Sequence, residues 1–459
     1  MALGVLVVLA AACSTEPATP PPPRNAVVVC LDTVRHDVFE LPESIGWSDP
    51  LSGELDEALR LESALAPAPW TVPSVASVLT GRYPATHGAG RFPSTVADLD
   101  REVPTAIADG VPTLAEVLSR EGLRTGASVA HPWFSAGYGL DRGFDSTRVV
   151  KGRKEVLEEG LAWLDGAADA TREPFFLYLH FMEAHEYHRG PLDDVRERAS
   201  RLPSPLAVAS EALAPADTCS EPDSEACVRW KAYVVAVLEL RGSVAELLGQ
   251  LERRGLGDRT MVVVFADHGE EFGDHRGEER ALAVDPRGLA GVGHGHALYQ
   301  ELLHVPLVVW RAGVSGRSDV PVSLVDIWPT ILRRLEGEGG AESAPGRPID
   351  LLLRRADSVV DRPLFASGIA FGPEQTAVVL GDRKRIGRED WGRSLTFDLD
   401  SDPEERSPLS ASAPELDALL ERYEAARSGA AGDGSVPEID AAMAEELRSL
   451  GYLGGGDNR

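Results

Sequence analysis

The chain has 459 residues, of which 43% are hydrophobic, and its formal net charge is -28. This length suits a large domain with a smaller companion, and the hydrophobic content excludes a globally disordered chain. The acidic excess excludes nucleic acid as a main partner, because a surface that binds phosphate backbones has to be basic. The same charge repels an anionic substrate at long range, so such a substrate would need local cations to attract it.

The first 23 residues predict an export signal followed by a tether. Residues 2–12, ALGVLVVLAAA, form an apolar run that is too short to span a bilayer comfortably and ends in small residues. The run LAAAC ends at Cys13 and resembles a bacterial lipobox, in which that cysteine carries the lipid. We therefore expect an exported lipoprotein on the periplasmic side of an envelope membrane, held there by its N-terminal lipid. An ordinary secreted protein is the alternative, and the Ser/Thr/Pro-rich stretch 14–23 predicts an extended tether.

Apolar runs rich in β-branched residues alternate with helical patterns between residues 24 and 340. The predicted strands are 25–31, 125–130, 174–179, 260–266 and 304–310. The predicted helices are 111–121, 154–166, 229–254 and 326–335. This alternation predicts an α/β fold with a mostly parallel sheet that is covered on both faces.

A polar stretch rich in Pro and Ala interrupts this pattern at residues 195–228, which favours an insertion or a loop on the substrate side. Cys219 and Cys227 flank a short polar segment within it. Export would place them in an oxidising compartment, where they could form a disulfide bond.

The pattern changes after residue 340, where short strands replace the long apolar runs. The predicted elements are strands at 358–366, 376–380 and 394–399 and helices near 414–427 and 438–450. They predict a small α+β subdomain with an antiparallel sheet. The sequence thus predicts three parts: a signal and tether at 1–23, a catalytic domain at 24–340, and a C-terminal subdomain with terminal helices at 341–459.

Acidic residues and histidines follow three of the predicted strands. Asp32 follows the first strand, His180 ends the strand 174–179, and Asp267 and His268 follow the strand 260–266. Because ligands of open α/β sheets bind beyond the carboxyl ends of the strands, these side chains predict a metal site. Carboxylate and imidazole donors favour Zn²⁺ or Mn²⁺, with Mg²⁺ or Ca²⁺ as less suited ions.

Further donors follow the same strands or precede the last one. Glu183 and His185 lie just after His180, and His294 and His296 lie in a Gly-rich segment. One imidazole of the last pair could reach the metal site, and the sequence favours His296.

The segment PWTVPSVASVLTG, residues 69–81, raises the question of a nucleophile. Thr71 lies two residues before Pro73, which suits a helix start, and Gly81 suits the helix end. A threonine that only caps a helix needs no catalytic role. However, a helix N-terminus also binds anions, and a hydroxyl coordinated to a divalent metal loses its proton more readily and can attack an ester. The local sequence leaves both interpretations open.

Seven ordered segments carry a family resemblance. They are NAVVVCLDTVRHD (25–37), PWTVPSVASVLTGRYPATHG (69–88), GLDRGFD (139–145), FFLYLHFMEAH (175–185), VVVFADHGEEFGDH (262–275), GHGHALYQELLHVPLVVW (293–310) and SLVDIWPTILRRL (323–335). Together they resemble the sulfatase-like branch of the alkaline phosphatase superfamily. The resemblance implies a three-layer α/β/α sandwich with a mostly parallel central sheet.

The resemblance also implies roles for individual residues. Asp32, Asp267 and His268 correspond to ligands of a catalytic metal, and Thr71 falls at the position of the nucleophile, where it also contacts that metal. His185 and His296 correspond to catalytic histidines that bind substrate or a second metal.

Three further residues complete the set that the resemblance suggests. Glu183 occupies the position of a second-metal carboxylate, and Arg82 and His294 are candidates for substrate binding. Whether one or two metals are bound stays open.

Two departures from the family pattern bear on the reaction. Formylglycine sulfatases have Cys or Ser at the nucleophile position, with Pro two and Arg four residues later, whereas this chain has Thr71, Pro73 and Val75. Threonine cannot become the aldehyde, and Val75 supplies no positive charge, so we expect no formylglycine.

The pattern is instead similar to family members that cleave phosphate or phosphonate esters, here an ester of a small molecule, a glycan or a lipid. The alternatives are a sulfuric ester hydrolase without formylglycine, a transferase, and an inactive lipid-anchored binding protein. The sequence does not predict the oligomeric state.

Overall fold

The computed structural model describes residues 23–90, 104–135, 137–166, 173–187, 189–282, 291–336, 345–354, 362–388, 394–429, 435–437 and 439–449. Its strands are β1 Asn25–Leu31, β2 Leu59–Leu61, β3 Ala64–Leu65, β4 Arg124–Val129, β5 Ser146–Val149, β6 Phe175–Phe181, β7 Thr260–Phe265, β8 Glu271–Phe272, β9 Val292–Gly293, β10 Leu307–Trp310, β11 Gly316–Ser318, β12 Val322–Ser323, β13 Leu364–Ser367, β14 Gln375–Leu380, β15 Arg383–Arg388 and β16 Ser394–Asp398.

The helices alternate with these strands. They are α1 His36–Phe39, α2 Leu41–Ser44, α3 Ser52–Leu55, α4 Thr71–Thr80, α5 Pro84–His87, α6 Leu114–Arg120, α7 Gly152–Asp165, α8 Leu192–Ala199, α9 Ser204–Leu213, α10 Glu225–Arg253, α11 Arg276–Leu282, α12 Gln300–Leu303, α13 Ile327–Glu336, α14 Ile349–Leu353, α15 Pro414–Gly429 and α16 Ala441–Ser449.

An eight-stranded sheet in the order β11-β2-β10-β7-β1-β6-β4-β5 forms the centre of the molecule. Strands β7, β1, β6, β4 and β5 run parallel, and β10 runs antiparallel to β7 and β2. Every residue of β1 is buried, and successive side chains point to opposite faces, so both faces of the sheet are covered. The predicted α/β fold with a mostly parallel sheet is confirmed.

The register of the three central strands brings their carboxyl ends to one edge of the sheet. Cys30 in β1 lies opposite His180 in β6 and Phe265 in β7. The next residues of all three strands therefore leave the sheet at the same height, which places Asp32 and Asp267 within reach of each other.

The predicted loop at 195–228 is wrong, because α8, α9 and the first turn of α10 occupy it. Pro203 precedes α9 and fixes an extended entry to the helix, so the prolines of this stretch start helices instead of preventing them. Trp230 Nε1 in α10 donates a hydrogen bond of 2.8 Å to the Ser210 carbonyl, which holds the two helices together. A disulfide bond joins Cys219 to Cys227 in the connection, the pair that the sequence suggested.

A four-stranded antiparallel sheet in the order β13-β14-β15-β16 forms the C-terminal subdomain, with α15 packed against it. Strand β15, RKRIGR, is a strand that the charged sequence did not suggest. Its Lys384 is buried and forms an ion pair of 2.9 Å with Glu405. The predicted boundary at residue 340 lies outside the described residues, so the division into 24–340 and 341–459 stays a prediction.

The disulfide gives a test of the α9–α10 connection. We expect replacement of Cys219 and Cys227 by alanine to lower the free energy of unfolding by about 2–3 kcal/mol, because the bridge closes a short loop in the unfolded chain. Urea denaturation would measure the change, with the reduced wild type as control. A double variant as stable as the oxidised wild type would contradict a formed bridge.

Candidate active site

Three buried side chains converge at the carboxyl edge of the central sheet. His268 Nε2 lies 3.7 Å from Asp32 Oδ1 and 3.5 Å from Asp267 Oδ2, and none of the three side chains is exposed. Ligand atoms placed about 2.1 Å from a tetrahedral ion are themselves about 3.4 Å apart. The observed separations therefore fit three ligands of one ion.

Local hydrogen bonds fix the orientation of this set. The Thr33 and His268 backbone N–H groups donate to Asp267 Oδ1 at 3.3 and 3.1 Å, which leaves Oδ2 pointing to the site. His268 Nδ1 donates 2.9 Å to the Gly269 carbonyl, so the lone pair of Nε2 faces the two carboxylates.

The chain turns sharply directly after Asp32. Thr33 has a φ of 58°, a left-handed conformation that is strained for a β-branched residue. The Tyr233 hydroxyl in α10 donates to the Thr33 carbonyl at 2.7 Å and accepts from the Arg35 backbone N–H at 2.8 Å. This clamp holds the strained turn and hence the Asp32 carboxylate.

Burial of the two carboxylates supports the metal assignment. Asp32 Oδ1 and Asp267 Oδ2 accept no hydrogen bond from the part of the chain that the structure describes. Burial raises the pKa of Asp32 to about 7 and the pKa of Asp267 to about 6. Unpaired buried carboxylates are costly, and a divalent cation between them would compensate both charges.

Thr71 is the first residue of α4 and faces this set. The N-cap position belongs to Trp70, and the Thr71 Oγ1 atom lies 3.4 Å from His268 Nε2. The Ser74 hydroxyl donates 2.6 Å to the Asp267 carbonyl, which ties the first turn of α4 to the ligand segment. Gly81 ends the helix with a left-handed φ of 66°, as the sequence predicted. The hydroxyl of Thr71 therefore belongs to the site rather than to a cap.

His180, which the sequence placed at a strand end, and His131 both lie beside the Asp32 carboxylate. His180 Nε2 donates 2.9 Å to Asp32 Oδ2 and its Nδ1 accepts from the Tyr178 hydroxyl at 3.2 Å, while His131 Nε2 lies 3.7 Å from the same Oδ2 atom. Burial lowers the pKa of His180 to about 4 and the pKa of His131 well below its ordinary value, which favours the neutral form of both rings. In the sequence, both histidines lie at the end of a buried strand or directly after one.

His294 and His185 extend the site beyond His268. The rings of His268 and His294 are 4.5 Å apart, and those of His294 and His185 are 5.1 Å apart. His294 Nδ1 donates 2.7 Å to Glu270 Oε2, and the Tyr187 hydroxyl donates 3.2 Å to Glu270 Oε1. The structure thus brings two predicted residues, His185 and His294, to the metal ligands.

Three predicted residues lie elsewhere. His296 Nε2 contacts Glu271 and Glu279 at 2.9 and 3.3 Å instead of the Asp32 set. The Glu183 carboxylate accepts a hydrogen bond from the Arg153 backbone N–H at the start of α7. Arg82 follows the far end of α4, about 16 Å along the helix from Thr71. Glu183 and His296 thus lack the contacts expected of second-metal ligands, and Arg82 lacks the position expected of a substrate contact. Cys13 lies outside the described residues.

A sequence profile of the family described as Sulfatase matches residues 24–337, more than half of the chain. The chain belongs to the sulfatase family. The matched region contains the whole central sheet and every residue of the candidate active site.

Curated relatives in the sulfatase family share part of this region. Arylsulfatase K of Xenopus laevis is 26% identical over 307 residues, which cover 59% of this chain and 54% of the relative. Arylsulfatase K of Gallus gallus is 24% identical over 317 residues, which cover 60% of this chain and 55% of that relative. An endo-4-O-sulfatase of Bacteroides thetaiotaomicron is 27% identical over 170 residues, which cover 37% and 30%. This chain spans about half the length of the arylsulfatase K relatives.

Solved structures share the fold over nearly the whole chain. A 2-O GAG sulfatase has a TM-score of 0.63 at 17% identity and covers 92% of this chain and 96% of its own. A protein solved with its substrate D-glucosamine-2-N,6-O-disulfate has a TM-score of 0.63 at 16% identity, with coverages of 90% and 99%. The phosphonate monoester hydrolase of Agrobacterium radiobacter has a TM-score of 0.59 at 17% identity, with coverages of 89% and 96%. The predicted alkaline phosphatase and sulfatase-like architecture is confirmed.

The first turn of α4 carries the departures from the formylglycine pattern. Val75 follows Thr71 by four residues, is fully buried and belongs to the main hydrophobic core. An arginine at this position would place a long, charged side chain in this core. The neutral residue is thus part of how the helix packs.

Loss of a ligand gives a direct test of the metal site. We expect Asp267→Asn to lose one equivalent of tightly bound Zn²⁺ or Mn²⁺, with an affinity loss greater than the roughly 10–100-fold that removal of an outer-shell partner causes. Metal analysis after desalting would measure it. Asp258→Asn, an exposed surface aspartate, is the matched control. Equal metal content in Asp267→Asn and the control would contradict the site.

Proposed function

We propose that this chain hydrolyses phosphate or phosphonate esters, with Thr71 as the nucleophile and one divalent metal held by Asp32, Asp267 and His268. One observation carries the proposal. The Thr71 hydroxyl, at the first residue of α4, lies 3.4 Å from His268 Nε2 beside two carboxylate oxygens without hydrogen-bond donors in the described part of the chain.

The donor set favours Zn²⁺ or Mn²⁺ over Mg²⁺ or Ca²⁺, since it combines imidazole with carboxylate. When bound, such an ion supplies a local positive charge, which lowers the pKa of a nearby hydroxyl and attracts an anionic ester despite the net charge of -28. The second-metal set of Glu183, His185 and His296 is not assembled, so we assign one ion to this site.

The chain's own residues suit a two-step displacement. Thr71 Oγ attacks phosphorus, a Thr71–phosphorus bond forms and the bond to the leaving alkoxide breaks, while the hydroxyl proton passes to solvent. His294, whose ring contacts that of His268, or His185, whose ring contacts that of His294, would give the alkoxide a proton. Water then attacks phosphorus, the Thr71–phosphorus bond breaks, the histidine regains a proton from the attacking water, and the Thr71 oxygen regains its proton from solvent. The positive end of the α4 helix dipole would stabilise the negative charge that develops.

Sulfuric ester hydrolysis is the second candidate, with Thr71 used directly as the nucleophile. It is favoured by the curated relatives, which are sulfatases, and by the disulfated sugar bound to one structural neighbour. The absence of a formylglycine precursor at residue 71 argues against the usual sulfatase chemistry. Under either candidate, the neighbours support a sugar-containing ester as the substrate.

A binding protein without activity is disfavoured by the intact ligand set. A decayed site would be expected to lose ligands, whereas Asp32, Asp267 and His268 keep their mutual spacing and their supporting hydrogen bonds. A transferase would use the same first step, followed by attack from an acceptor alcohol.

Export and lipid anchoring through Cys13 remain part of the proposal. The disulfide between Cys219 and Cys227 supports an oxidising compartment. Among the described residues, no helix combines the length and the apolar character that a bilayer crossing requires.

Removal of the proposed nucleophile tests the chemistry. We expect Thr71→Ala to lower kcat at least about 10³-fold, because the covalent step needs this oxygen. Thr80→Ala, which removes a buried hydroxyl at the other end of the same helix, is the matched control and should retain activity. Full activity of metal-loaded Thr71→Ala would exclude Thr71 as the nucleophile.

A panel of aryl esters separates the candidate substrates. We expect kcat/KM for a phosphate or phosphonate ester to exceed that for the sulfate ester with the same leaving group, because the site lacks the formylglycine nucleophile. Initial rates with metal-loaded protein would measure this, with Thr71→Ala as background. A higher kcat/KM for the sulfate would favour the second candidate.

A further inference from the structure

A two-stranded ribbon separates the active site from a second group of buried side chains. In this ribbon, Glu271 of β8 pairs with Gly293 of β9. Consecutive residues of extended chains point to opposite sides. Glu270 contacts His294 on the side of His268, whereas the next residue, Glu271, contacts His296 on the other side. Gly295, with a left-handed φ of 81°, breaks the extended chain between the two histidines and lets them face opposite sides. The histidine that the sequence favoured for the active site therefore belongs to a different group.

We define the rear cluster as Glu271, Glu279 and His296. None of the three side chains is exposed, and their ligand atoms all lie within 4.8 Å of one another. His296 Nε2 lies 2.9 Å from Glu271 Oε2 and 3.3 Å from Glu279 Oε1. The longer distance equals the spacing of ligands on a tetrahedral ion, and the shorter one would have to open by about 0.5 Å.

The remaining carboxylate oxygens are held in place by the backbone. The His275 N–H donates to Glu271 Oε1 at 2.9 Å, and the Gly291 N–H donates to Glu279 Oε2 at 2.7 Å. Both carboxylates are thus oriented by the protein, each with its other oxygen directed at His296. Glu279 Oε1 accepts no hydrogen bond of acceptable geometry from the described residues, although it is fully buried.

Several buried ionisable groups meet at the rear cluster. Burial raises the pKa of Glu271 to about 8. Burial opposes protonation of His296, but the Glu271 and Glu279 carboxylates beside it raise its pKa to about 10. When Glu271 holds its proton, the Glu279 carboxylate and the His296 imidazolium balance each other, and Glu301 is paired with His275 at 2.8 Å. A divalent cation would take the place of these protons. Buried charge of this kind is normally paired or coordinates a metal.

We infer that the rear cluster is a second divalent-cation site, which takes Zn²⁺ or Mn²⁺ through Glu271, Glu279 and His296. Two carboxylates and one imidazole are a donor set that suits these ions. The ion would link α11, which carries Glu279, to the ribbon whose other side presents His294 to the active site. This role is structural, and it does not depend on the proposed ester hydrolysis.

Metal stoichiometry of the full chain tests the inference. After loading with Mn²⁺ or Zn²⁺ and desalting, the wild type should retain two equivalents and Asp267→Asn one. The double variant Asp267→Asn/Glu279→Gln should retain none, whereas Asp267→Asn/Glu278→Gln, altered at the neighbouring position of α11, should keep one. Added metal should raise the melting temperature of Asp267→Asn and leave that of the Glu279→Gln double variant unchanged.

Two results would overturn the second site. A wild type that retains only one equivalent would exclude it without any substitution in the cluster. Equal metal content in Asp267→Asn and Asp267→Asn/Glu279→Gln would show that the remaining ion binds elsewhere. Glu279→Gln keeps the size of the side chain, and circular dichroism would show that the compared variants are folded.

Discussion

The burial of Asp32 and Asp267 side by side is the constraint on which the rest of the site depends. Each carboxylate leaves one oxygen without a hydrogen-bond donor from the described residues, and burial raises the pKa of both groups. Two buried carboxylates without such donors are stable side by side only if a cation or a proton compensates their charge. The surrounding structure is arranged to hold the pair in place, with a strained turn at Thr33 that Tyr233 clamps. A divalent metal bound between the two carboxylates would account for these features.

The fold delivers the other participants to this pair from separate elements. The parallel register of β1, β6 and β7 lines up the strand ends, and the first turn of α4 adds Thr71 beside His268. The β8–β9 ribbon adds His294 on one side and supports the rear cluster on the other. One glycine, Gly295, separates His294 from the rear histidine, so the rear cluster lies directly behind this part of the candidate active site.

The sequence predicted the long strands well, because apolar runs such as Asn25–Leu31 are buried on both faces and leave little ambiguity. It also located Asp32, Asp267 and His268, since residues after such strands share one sheet edge. It favoured His296 rather than His294, because the left-handed turn at Gly295, which sends the two side chains to opposite sides, could not be read from the sequence. It missed α8 and α9, whose prolines mark helix starts, and β15, whose buried Lys384 depends on Glu405 from a distant segment.

A covalent intermediate on Thr71 is the central claim about this molecule, and it can be observed directly. Metal-loaded protein would be quenched with acid during turnover of an aryl phosphate or phosphonate ester, digested, and analysed by peptide mass spectrometry. The proposed mechanism predicts one phosphoryl or phosphonyl group on the peptide that contains Thr71, at the Thr71 oxygen, and none on the same peptide of Thr71→Ala. Full turnover with no modified Thr71 at any quench time, together with inversion at a chiral phosphorus centre, would contradict it and would indicate direct attack by water.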